Sequence, residues 1–302
     1  MSTAASTEQS DPYWSRKGNQ WELADRQDPV VWPSTDSPSN SSWTSEELSS
    51  YDQQGFMAME GLLSQNEAKE LLFEANSLAE AADTSRPDVI VEPSSNVVRS
   101  LFKIHETNGA FNAIAADPRL VDRARQLLGS EVYIHQSRIN FKPALNGKEF
   151  FWHSDFETWH IEDGMPRMRA VSVSINLTTN HEFNGPLMLI PGSQRFFVRC
   201  VGETPDNHFE QSLKAQRYGV PSRDALEQLV NERGIVAPKG SPGSAVYFDC
   251  NTMHGSYGNL SPFPRTNLFI VYNSVENVLQ DPYGGTTPRP DFLAERKCHP
   301  IV

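Results

Sequence analysis

Cysteine is scarce: Cys200, Cys250 and Cys298 are widely spaced and odd in number. Neither a disulfide framework nor a Cys-x-x-Cys zinc site follows from them. Basic charge is also short, with 26 Lys and Arg against 38 Asp and Glu, a formal net charge of −12. Nucleic acid and anionic membranes attract clustered cations, so neither is expected as a partner. No apolar run reaches the ~20 residues of a spanning helix. The first residues, MSTAASTEQSDPYW, hold no apolar signal core, so a reducing cytoplasm is the expected location. There is no internal repeat, which sets aside solenoids and propellers. What remains is a chain of 302 residues, long enough to bury a sizeable core.

Residues 1–44 are polar and rich in Ser, Thr, Asp and Pro, and read as a partly mobile arm. Trp14, Trp21, Val30, Val31 and Trp32 are too apolar for a pure tail, so part of the arm is expected on the domain. Residues 45–302 read as one domain. A short helix starts at Ser45 and ends at Gly55. Ser64 with Glu67 forms a capping box for a helix to about residue 82, and one further helix is expected over 111–128 with Gly129 as its stop. From about 131 to 275 the pattern is short strands between Gly, Pro and Asn turns, which predicts a sandwich or barrel. Along 132–142, Gln136, Arg138, Asn140 and Lys142 share one strand face, and Tyr133, His135, Ile139 and Phe141 the other. Along 170–177, Val171, Val173, Ile175 and Leu177 oppose Ser172, Ser174 and Asn176. Such polar faces fit either a cavity inside a barrel or a solvated surface. The long polar stretch near 195–220 reads as a lid, with a helix following at 224–232.

Chemistry concentrates in residues 150–170, FFWHSDFETWHIEDGMPRMRA. His153 and Asp155 lie two apart, which on a strand points both at one ion. An imidazole and a carboxylate are two thirds of the facial triad of non-haem Fe(II) oxygenases. His254, 99 positions after Asp155, ends a strand-like run and is preferred as third ligand over His160. His105, His135, His181, His208 and His299 read as packed or surface residues. Arg265 follows His254 by 11 residues and alternates with Asn267, Phe269 and Val271 on one strand face, where a guanidinium can bind a carboxylate bidentately. His-x-Asp, a distant His and this Arg match 2-oxoglutarate-dependent oxygenases.

Residues 151–160 with 162–166 resemble a signature of the phytanoyl-CoA dioxygenase-like family, specifically of its members that hydroxylate ectoine. Residues 26–31 and 184–187 are similar to that group too. The resemblance implies a mainly β protein with flanking helices and a double-stranded β-helix (jelly-roll) core. It implies Fe(II) on His153, Asp155 and His254, and 2-oxoglutarate and O2 as co-substrates, with succinate and CO2 formed alongside 5-hydroxyectoine. It places 2-oxoglutarate on Lys142, with Arg265, Asn140 and Asn267 beside it, and ectoine on Gln136 and Trp159. It also implies a homodimer. Ectoine is a zwitterion with an amidinium ring, so its pocket wants aromatic faces, hydrogen bonds and a cation. Trp159, Phe248 and Phe269 are candidates for the faces, Gln136, Thr158 and Ser174 for the polar contacts, and Arg289 for the carboxylate. Phe248 and Phe269 equally fit a plain core. The rival readings are a sister oxygenase with another small polar substrate and a jelly-roll metal protein that does not use O2.

Overall fold

Two capping boxes open the helical layer. Thr44 accepts the amide of Glu47 and Ser64 that of Glu67, while each glutamate returns to its cap's own N–H. Helix α1 therefore runs Ser45–Gln54 and ends on left-handed Gly55; α2 runs Gln65–Glu80. The structure, a computed structural model, describes residues 11–34, 42–92, 97–205, 209 and 218–301. A one-turn α3, Ile104–Thr107, precedes the region expected to be a single helix. That region is two helices, α4 Gly109–Ala115 and α5 Pro118–Leu128. Pro118 cannot donate to the preceding turn, and Asp117 caps the new helix through the amide of Arg119.

The strands are β1 Glu22–Asp25, β2 Phe56–Met59, β3 Val89–Val91, β4 Val98–Phe102, β5 Val132–Lys142, β6 Phe150–His153, β7 Ala170–Asn176, β8 Met188–Leu189, β9 Phe196–Arg199, β10 Ala245–Asp249, β11 His254–Ser256 and β12 Arg265–Ser274. They form a seven-stranded sheet, β2-β10-β7-β12-β5-β4-β3, and a three-stranded sheet, β6-β11-β8. The pairings are antiparallel, and the two sheets are the walls of the expected jelly roll. Between β6 and β7 lie α6, Asp155–Thr158, and a π-helical turn, Trp159–Asp163; α7, Arg223–Arg233, follows β9.

The two faces of the large sheet explain where the site sits. Val171, Val173 and Ile175 of β7 and Leu268 and Ile270 of β12 pack with α2, α4 and α5 in one apolar core. The alternate residues Ser172, Ser174, Asn176 and Asn267 are polar yet buried, so this face lines an interior and is not solvated. Buried polar atoms are costly unless bonded, which makes that interior a chemical site. One detail departs from strict alternation. Val271 pairs with Gln136 but Tyr272 with Ile134, so His135 is the extra residue of a bulge. Parity reverses there: Val132 joins Ile139 on the helix side, and His135 meets Trp159 with ring centroids 4.8 Å apart.

Residues 11–34 of the arm are laid on the domain. β1 pairs with β9, Glu22 opposite Arg199, and Tyr13, Arg16 and Trp32 are buried. Residues 206–208, His208 among them, and 210–217, part of the segment read as a lid, lie outside the described residues. Among the described residues no helix is long and apolar enough to cross a membrane.

Candidate active site

β6 ends at His153 and β11 begins at His254, and the two residues face each other in the antiparallel register. Their ring centroids are 4.2 Å apart. Asp155 reaches them differently from the expected strand alternation. Ser154 caps α6, so the strand has already stopped and Asp155 is the first helical residue. Its Oδ1 lies 3.6 Å from His153 Nε2, and its Oδ2 3.9 Å from His254 Nε2. One donor atom from each residue falls within 4.8 Å of the others, the one such group among the described residues.

Secondary contacts orient these ligands. His153 Nδ1 lies 2.7 Å from the Phe151 carbonyl and His254 Nδ1 2.9 Å from that of Thr252. Each Nδ1–H donates to its carbonyl, which turns the Nε2 lone pair inward. The Ser172 hydroxyl donates to Asp155 Oδ2 at 3.3 Å. Burial and the neighbouring His153 push the His254 imidazole down to about 4, so it is neutral near neutral pH. Burial would raise the Asp155 carboxyl, but His254 and His153 outweigh it and hold it below the usual carboxylate range. Two imidazoles and one carboxylate on a common centre fit Fe(II).

Beside this triad the strands present cations to each other. Arg265 pairs with Lys142 across β12 and β5, and Asn267 with Asn140. Like charges directly opposite destabilise a sheet. Lys142 Nζ donates to Ser256 Oγ at 2.7 Å and to the Tyr257 carbonyl at 2.6 Å. Nε and Nη1 of Arg265 are buried with no hydrogen-bond partner. Burial, then Arg265 and Arg99, push the Lys142 ammonium down to about 5. Burial, then Arg99, bring Arg265 down to about 10. A Cβ on Gly147 would overlap the Lys142 stem, and one on Gly185 would stand 2.7 Å from its Cδ, so these glycines form a slot for it. Orphaned buried donors next to a metal triad are what a chelating dicarboxylate would satisfy.

A cleft opens from the triad toward Gln136, Arg138, Thr158, Trp159 and Arg289, with Asn140 on its wall. Thr158 closes α6 and Trp159 opens the π-helical turn, a distortion common at functional sites. Gln136 donates to the Leu293 carbonyl at 2.6 Å and accepts from Arg138 at 2.6 Å. Arg289 grips Asp163 through Nε at 2.8 Å and Nη2 at 2.6 Å.

The structure places several sequence candidates elsewhere than on the cleft wall. Phe248 and Phe269 pack with Leu187, Leu189 and Val246, and Phe248 lies 4.9 Å from the His254 ring. They form a floor beneath the metal site. Asn267 donates to Ser174 Oγ at 2.9 Å and Asn176 Oδ1 at 3.0 Å, so its amide hydrogens are engaged by the sheet and Ser174 serves as their acceptor. His160 is bonded to the Met165 carbonyl and to Asp11 and is no ligand. Sequence reasoning passed over Arg138, Arg99, Ser172 and Ser256. Arg138 shares its face with Gln136 and Lys142, and Ser256 follows His254 by two on the same strand, so alternation held a signal for both.

A His-Asp-His face between two antiparallel sheets, beside Lys142 and the partnerless buried donors of Arg265, defines a non-haem iron oxygenase of the jelly-roll class. Residues 51–267 match the family model of phytanoyl-CoA dioxygenase, and the chain belongs to that family. An ectoine dioxygenase of Bordetella bronchiseptica is 50% identical over 293 residues, 97% of this chain and 94% of that protein. One from Halomonas elongata is 50% identical over 94% of this chain and 86% of its own length. EctD from S. alaskensis, solved with 2-oxoglutarate and 5-hydroxyectoine, superposes with a TM-score of 0.83 at 43% identity, covering 97% of this chain and 100% of that one. The same enzyme has been solved with bound Fe.

Proposed function

We propose that this protein hydroxylates ectoine to 5-hydroxyectoine, using Fe(II), 2-oxoglutarate and O2 and releasing succinate and CO2. The observation that carries the reading is the near-full-length likeness to an enzyme solved with both 2-oxoglutarate and 5-hydroxyectoine, with a complete triad present in this chain. Bound Fe(II), with 2-oxoglutarate and O2, supplies the C–H hydroxylation chemistry. The chain supplies position. His153, Asp155 and His254 hold the metal; Lys142, Arg265 and the Ser256 hydroxyl take the far carboxylate of 2-oxoglutarate, with Asn140 beside them and Asn267 as a brace. Trp159 offers a face to the amidinium ring, Gln136 and Thr158 hydrogen bonds, and Arg289 a cation for the carboxylate. Phe248 and Phe269 keep water from below, and Ser174 fixes Asn267. A homodimer working in the cytoplasm completes the reading.

Oxygen uptake by iron-loaded protein with 2-oxoglutarate tests it: ectoine stimulates uptake and proline does not. Equal stimulation by both would remove ectoine as the specific substrate. Arg289→Ala raises the KM for ectoine about tenfold, the loss of one charge-assisted contact; an unchanged KM would take Arg289 out of the pocket.

Co-substrate binding carries a proton. With Lys142 at about 5 against its ordinary 10.5, the native state binds fewer protons than the unfolded chain between those values. Stability of the co-substrate-free protein therefore gains from this group as pH rises across that window. Arg265 and Arg99 oppose the charge, and Glu92 and Glu149 favour it only weakly. A dicarboxylate restores the ammonium, so binding takes up a proton and weakens as pH rises above neutral. Calorimetry in buffers of different ionisation enthalpy reads that proton directly; heats independent of buffer would show Lys142 already charged.

A further inference from the structure

His153 and His254 are held together by the ladder of β6 and β11, but Asp155 is not. It lies beyond the end of β6, on the turn that opens α6, so its place relative to His254 depends on how that turn docks. The turn docks on residues 250–253, the segment between β10 and β11 that delivers His254. Two bonds make the contact. The Phe156 amide donates to the Cys250 carbonyl at 2.8 Å, and the Ser154 hydroxyl donates to Asn251 Oδ1 at 2.9 Å. Ser154 stands in the chain between two of the ligands, and Asn251 shortly before the third.

The Asn251 side chain is buried, and its partners fix which way the amide faces. Nδ2 donates to the Gln194 carbonyl at 3.0 Å and to the Phe196 carbonyl at 2.9 Å, at the entry to β9. Only the nitrogen can donate to two carbonyls, so the oxygen must face Ser154. The Ser154 hydroxyl commits its hydrogen there and offers a lone pair to the Glu157 amide as the cap of α6. Behind Asn251 the arm closes the bracket: Asp249 Oδ1 accepts the Asn251 amide at 2.8 Å and Arg26 Nη1 at 2.7 Å. The outer end of the turn is tied separately. Arg16 bonds Glu157 through Nε at 3.0 Å and Nη2 at 2.7 Å, and Glu162 through Nη1 at 2.6 Å. Loosening the inner end therefore moves the ligand without releasing the turn.

We propose that Asn251 is a positioning residue for the metal centre: through Ser154 it pins the turn carrying Asp155 to the segment carrying His254, and so sets the distance between those two ligands. It rests on the iron reading above and not on ectoine as the substrate. Anaerobic Fe(II) titration of the full chain, followed by calorimetry, reads the metal directly and needs no turnover. Asn251→Ala weakens Fe(II) binding by about 10- to 100-fold, the cost of losing a partner that orients a ligand. Ser154→Ala removes the other half of the same bond and has a similar effect. The double variant stays within about threefold of Asn251→Ala alone, because one link can be broken only once. Ser154→Thr keeps the hydroxyl and binds Fe(II) within about threefold of wild type. A residue that only propped the fold would lower the unfolding midpoint and leave the affinity of the folded protein where it was. A smaller loss in Asn251→Ala, losses that multiply in the double variant, or a Ser154→Thr as weak as Ser154→Ala overturns the proposal. If Asn251→Ala does not accumulate as folded protein, Ser154→Ala against Ser154→Thr carries the test, and equal affinities overturn it. Wild-type protein run in parallel separates the failures. Wild-type iron binding beside an indifferent Asn251→Ala removes only the role of Asn251. Wild-type protein that binds no iron, or no more than His153→Ala does, removes the iron reading and this proposal with it.

Discussion

His153→Ala abolishes both iron binding and ectoine turnover while leaving the protein folded. A metal centre contributes several kcal/mol at the transition state, so at 1.36 kcal/mol per decade the loss is about three orders of magnitude or more. The fold survives because His153 ends β6 with its side chain 13% exposed, so the cavity left behind is small and open to water. The remaining pair, Asp155 and His254, cannot define a face of three ligands. Iron content measured on the purified variant, with near-ultraviolet circular dichroism as the folding control, checks the first half; turnover checks the second. A folded variant that keeps iron and activity would remove His153 from the centre.

Arg265→Met moves two quantities in opposite directions. Truncating one partner of a buried, hydrogen-bonded charge pair costs about 2–5 kcal/mol, so the KM for 2-oxoglutarate rises about thirtyfold to several thousandfold. The protein without co-substrate becomes more stable, by about 1–3 kcal/mol, because a buried guanidinium with two orphaned nitrogens is replaced by an apolar chain of similar length. Thermal unfolding without 2-oxoglutarate and kinetics with it test the two halves. A fall in Tm together with an unchanged KM would mean that Arg265 is structural and that the anion site lies elsewhere.

Much of this site was legible because chemistry constrains residue type. A facial triad needs imidazole and carboxylate, so His153, Asp155 and His254 stood out, and the structure gathers all three. The alternation of Val171, Val173 and Ile175 against Ser172, Ser174 and Asn176 set the two faces of β7, and packing against the helices decided which lay inward. Three features escaped for identifiable reasons. A period of two carries no mark of an inserted residue, so the bulge at His135 was hidden and the first half of β5 was assigned to the wrong faces. Ile114, Leu120, Ala124 and Leu127 kept helical spacing across the break at Pro118, and the periodicity masked the stop. The pairs of Arg16 with Glu157 and Glu162 join residues 141 and 146 positions apart, a separation at which spacing says nothing about contact. Phe248 and Phe269 show a further limit, since an aromatic on an inward strand face reads alike as core and as pocket until neighbours are seen.

The most direct test of the account is product analysis. Iron-loaded protein is given 2-oxoglutarate, ascorbate, air and ectoine, and succinate is followed together with the product. The account predicts succinate and 5-hydroxyectoine, one oxygen atom heavier than ectoine, formed one to one and both absent in His153→Ala. Succinate without 5-hydroxyectoine, or neither product from folded iron-bound protein, would contradict it.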